Sequence, residues 1–128
     1  MVDLSIQHLL EQAIDSPLKL QLVLMFCDHP RLQATPAQVA ERAYRDIWST
    51  REALHELAQD GILCNVPMDG EPVYQFDPRP EYAETIKRLY WAYNEPLERD
   101  DLQRLVREVG SIASFRRMPL NMPIIEQL

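Results

Sequence analysis

Apolar side chains recur along this chain with helical spacing in most segments and alternate with polar ones in two short runs. Residues 4–14 place Ile6, Leu9, Leu10, Ala13 and Ile14 on one face, which predicts an amphipathic helix. Asp15-Ser16-Pro17 ends it and starts another, with Ser16 as N-cap and Pro17 in the first helical position. From Leu18 to Cys27 the chain is apolar nearly all round, the pattern of a helix covered by neighbours on several sides. Asp28-His29-Pro30 stops it. Thr35-Pro36 opens a short helix reaching about Ala43, and Asp46 caps a longer one carrying Ile47, Thr50, Leu54, Leu57 and Ala58 on one face. Gly61 supplies its terminus. Residues 62–66 and 73–76 are β-like runs around Asp69-Gly70, a strong hairpin dipeptide. Two further helices are predicted over about residues 80–94 and 97–114. The tail, residues 118–128, is expected to be extended, because Pro119 and Pro123 forbid a regular helix.

Composition narrows the class. A chain of 128 residues fits a single domain. With 46% hydrophobic and 26% charged residues it has the makings of a globular core without a metal or disulfide staple. No apolar run is long enough to span a membrane, and the start Met1-Val2-Asp3-Leu4 lacks the basic residues of a secretory signal. Cys27 and Cys64 fit free thiols in a reducing compartment, so a cytoplasmic protein is expected. Three glycines leave no phosphate-cradling loop, and three scattered histidines build no active site. No enzyme, cofactor or metal site is expected. Cys27-Asp28-His29 has the look of a metal-ligand run but has no second ligand cluster, so a buried cysteine beside a loop histidine is the preferred reading.

The order helix, short helix, capped helix, glycine, hairpin resembles the winged helix-turn-helix family over residues 17–77. Ser16-Pro17-Leu18, Thr35-Pro36-Ala37-Gln38-Val39-Ala40-Glu41-Arg42, the Leu54/Leu57/Gly61-Ile62-Leu63 spacing and Val73-Tyr74-Gln75-Phe76 carry the resemblance. It implies a mainly α fold with a small β-hairpin: an N-terminal helix (1–16), a winged helix-turn-helix (17–79), a C-terminal helical pair (80–117) and the tail. It also implies a third helix laid in the major groove of duplex DNA, with the hairpin as a wing. Trp48, Arg51, Glu52 and His55 would then face base edges, and Arg42, Arg45 and Arg51 would form a local basic patch. Arginine suits guanine and glutamate the cytosine amino group.

Charge opens a second reading. The net charge is −7, residues 17–79 hold six basic against nine acidic residues, and the hairpin carries Asp69 and Glu71 where phosphate-contacting cations belong. The turn between the two helices has Tyr44 where a small residue is usual. A winged-helix module gripping another protein through the Trp48 face or the tail is therefore the alternative to a DNA-binding transcriptional regulator. Finally, Tyr82, Ile86, Leu89, Tyr90 and Tyr93 line one face of the first C-terminal helix. Leu97, Leu102, Leu105, Val106, Val109, Ile112 and Ala113 form a stripe on the next. That apolar area exceeds what a three-helix domain is expected to cover, which predicts a homodimer built on these helices.

Overall fold

The computed structural model describes residues 3–66 and 68–116. The predicted tail at 118–128 lies outside the described residues. Within them the chain is mainly helical, with six helices and a small three-stranded antiparallel sheet.

Helix α1 (Leu4–Gln12) starts where the Asp3 carboxylate accepts from the Ser5 N–H, and it buries Ile6, Leu9 and Leu10. Helix α2 (Pro17–Asp28) starts where the Ser16 hydroxyl accepts from the Lys19 N–H, with Pro17 just inside. Leu18, Leu20, Leu22, Val23 and Phe26 are buried, and Leu24, Met25 and Cys27 are half-buried against the same core. The expectation of a central helix covered on several sides therefore holds.

Strand β1 (Gln33–Ala34) follows, then α3 (Pro36–Ala43) and α4 (Ile47–Gln59). Helix α3 opens with a reciprocal cap: Thr35 accepts from the Gln38 N–H, and the Gln38 side chain accepts from the Thr35 N–H. Its C-terminus is closed by Tyr44 at φ 56°, a left-handed conformation unusual for a residue with a Cβ. Strands β2 (Leu63–Val66) and β3 (Val73–Phe76) form the hairpin, with Leu63 opposite Phe76 and Val66 opposite Val73. At the junction of α4 and β2, Gly61 has φ +86°, and a Cβ there would meet the Arg79 side chain at 2.2 Å.

The sheet order is β1-β3-β2. A two-stranded hairpin was the expectation. The third strand arises because Gln33 and Ala34 pair with Gln75 and Tyr74, reinforced by a 2.7 Å bond between the Gln33 and Gln75 amides.

Helices α5 (Pro80–Tyr93) and α6 (Pro96–Arg116) pack on α1, on α2 and on each other. Ile86, Leu89, Leu102 and Val106 join the same buried cluster as Leu10, Phe26 and Leu54. The sequence argument for a dimer assumed that these stripes lacked cover within one chain. Their central residues are in fact covered, because α1 and α2 turn apolar faces towards them. Leu97 and Ile112, towards the two ends of the α6 stripe, remain exposed. Gly110 permits the close seating of α6: a Cβ at that position would lie 3.3 Å from the Asp15 carbonyl oxygen.

Candidate functional site

Helix α4 is amphipathic in the literal sense of having two separate roles. Thr50, Ala53, Leu54 and Leu57 face the core, so the 3.6-residue period leaves Trp48, Arg51, Glu52 and His55 together on the outer side. All four are exposed, Trp48 at 74%. The Arg51 guanidinium lies 5.7 Å from the centroid of the Trp48 ring, a cation–π contact worth about 0.5–1 kcal/mol at an exposed site. Its Nη2 is also 3.7 Å from Oε1 of Glu71, which belongs to the β2–β3 turn. That pair places the hairpin tip beside the α4 face. An exposed pair of this kind contributes about 0–1 kcal/mol and opens readily for a better partner.

Arg42 and Arg45, grouped with that face by sequence, are exposed; Arg45 borders it, lining a cleft with Ser49 and Glu52 of α4, and Arg42 does not. Arg45 donates to the Gln21 side-chain oxygen at 3.3 Å, and the Gln21 amide donates to the Ala43 carbonyl at 2.9 Å. Both arginines line a cleft shared with α2 and α6. The structure thus brings four of the six candidates together on one helix face, with Arg45 between that face and α6 and Arg42 on the α6 side alone.

Two residues take roles that the sequence did not assign them. Tyr44, 93% exposed at the turn between α3 and α4, adds a second aromatic ring to this end of the molecule. Lys19, which counts among the basic residues by sequence, is only 3% exposed. Its ammonium donates to Asp15 Oδ1 at 2.6 Å and to Glu56 Oε1, so it ties the start of α2 to the inner side of α4 and offers nothing to a phosphate. The Asp15 partner, four residues away, was in principle readable; Glu56, 37 positions on, was not.

Titration behaviour separates structural from reactive groups. The Asp46 carboxyl is held below its ordinary value, chiefly by the Ser49 backbone N–H that it accepts at 2.7 Å. A depressed carboxyl stabilises the fold above its unfolded pKa and loses that contribution as pH falls through the folded one. Acidification below about pH 4 should therefore fray the first turn of α4, and Asp46→Asn, which keeps an acceptor, should flatten the response. The pH dependence of the Ser49 amide resonance checks this: an identical titration in both proteins would remove Asp46 as its source. The Cys27 thiol is pushed up to about 11 by burial and then by neighbouring Asp28, the opposite of an activated nucleophile. Asp28 itself accepts the Tyr90 hydroxyl, whose pKa is raised mainly by that bond. Among the described residues, no three His, Cys, Asp or Glu side chains gather as a metal site. No helix among them is long and apolar enough to cross a membrane.

The fold and site thus define a mainly helical domain that presents a mixed aromatic and charged helix face beside a β-hairpin. No family model, curated protein or solved structure matches the chain.

Proposed function

We propose that this chain is a winged helix-turn-helix transcriptional regulator that binds duplex DNA as a homodimer, with α4 as the helix that enters the major groove. The observation that carries the reading is the outer face of α4, where Trp48, Arg51, Glu52 and His55 stand exposed beside the hairpin tip. Arg51 is the base-reading residue: its fork matches the two acceptors of guanine, and Trp48 restrains it. Glu71 holds the guanidinium until DNA displaces it. The homodimer draws on Trp91, Leu97 and Ile112, apolar side chains of α5 and α6 that stay exposed.

Binding must then release counterions, so affinity for a preferred duplex should fall steeply with salt. Arg51→Ala should weaken specific binding by about 1–3 kcal/mol, and Asp69→Lys, on the same turn as Glu71, should strengthen binding to every sequence alike. Gel-shift titrations on duplexes selected from random sequence, run at two salt concentrations, measure both. Light scattering should give twice the chain mass.

A second reading, a winged-helix module that binds protein, is favoured by one specific combination. The exposed rings of Tyr44 and Trp48 resemble interface anchors, and Asp69 and Glu71 put negative charge beside them. It predicts no duplex binding near physiological salt and a partner lost on Trp48→Ala.

A further inference from the structure

We propose that the cleft between α2, the α3–α4 turn and α6 binds a small amphipathic carboxylate, an aromatic or medium-chain acid. The cleft has a volume of about 560 Å³, inside the range of small-molecule sites. Leu20, Leu24 and Val106 give it an apolar lining, and Arg42, Arg45 and Arg107 bring three guanidinium groups to it from α3, the turn and α6. Among the described residues Arg42 and Arg107 make no salt bridge, and Arg45 makes none either, although its charge acts on the neighbouring Asp46 carboxylate. The one carboxylate in the lining, Asp28, is engaged by the Tyr90 hydroxyl. In a chain of net charge −7, this is a local excess of positive charge around an apolar surface.

The walls are set before any ligand arrives. Gln21 holds Arg45 from one side, and Gln103 donates to the Tyr93 hydroxyl at 2.8 Å on the other. Guanidinium groups pair with carboxylates and phosphates alike. The cleft discriminates between them through its apolar lining, which rewards a hydrocarbon body that phosphate lacks. A bound acid would bridge Arg42 and Arg45 to Arg107, fastening the α3–α4 turn to α6.

Ligand binding at this cleft is independent of whether α4 reads DNA, and its test uses no nucleic acid. The full chain is titrated with 3-phenylpropanoate, octanoate, the neutral 3-phenylpropanol and inorganic phosphate, by calorimetry and by side-chain amide NMR. The two acids should bind and shift the Gln21 and Gln103 amide signals, and the alcohol and phosphate should not. Arg107→Gln, an exposed position that leaves the core intact, should weaken acid binding about tenfold, the loss of one charge-assisted hydrogen bond. Arg104→Gln, exposed on α6 but outside the cleft, should leave it unchanged. Equal binding of the alcohol, equal binding of phosphate, indifference to Arg107→Gln, or no acid binding at millimolar concentration would each overturn the proposal.

Discussion

Lys19→Ala should destabilise the fold by about 3–5 kcal/mol, the usual cost of removing one partner from a buried ion pair. The ammonium sits between Asp15 and Glu56, with Asp15 itself buried. Two carboxylates converging on one low-dielectric site repel each other strongly once the cation between them is gone. Urea titration followed by circular dichroism measures the effect as a lower midpoint with an unchanged slope. A loss below about 1 kcal/mol would mean that water reaches the cluster and that its charges are solvated like surface ones. Because Glu56 is on α4, the variant should also loosen that helix against α2, and binding through the α4 face should suffer at temperatures where the protein is still folded.

Leu54→Ala is expected to cost about 2–5 kcal/mol, since Leu54 is fully buried at the inner side of α4 and the packed neighbours leave a cavity when it is truncated. Trp48→Ala, on the opposite side of the same helix, should leave stability nearly unchanged while weakening duplex binding by about 0.5–1 kcal/mol, the worth of its contact with Arg51. Thermal unfolding and a binding assay on the two variants separate scaffold from reading face. Comparable losses of stability in both would place Trp48 in the core and remove the basis for the proposed interface.

How much of this was readable in advance depended on whether the cause was local. The starts of α2, α3 and α4 were announced by Ser16-Pro17, Thr35-Pro36 and Asp46, because a cap bonds to an N–H only three residues away. The hairpin was announced by Asp69-Gly70, and Gly70 duly has φ +91°. Strand β1 gave no signal: Gln33-Ala34 is too short for a period and becomes a strand only by pairing with residues some forty positions on. The outer face of α4 followed from helical period alone. Its relation to Arg42 and Arg45 did not, because that depends on where Gln21 and α6 sit. For α5 and α6 the stripes were evident, but periodicity says only that a face is apolar and not what covers it.

Because one apolar cluster runs without interruption from α1 through α4 to α6, the segment over residues 17–79 shares its core with the helices on either side of it. Cut away from α5 and α6, it would expose the surface of α2 that Leu89, Leu102 and Val106 now shield. The chain should accordingly melt as a single cooperative unit, with the most protected amides of α2, α4 and α6 exchanging through the same global opening. Native-state hydrogen exchange should show these isotherms merging at one free energy. An α6 that opened several kcal/mol below α2 would instead mark it as a separate foldon.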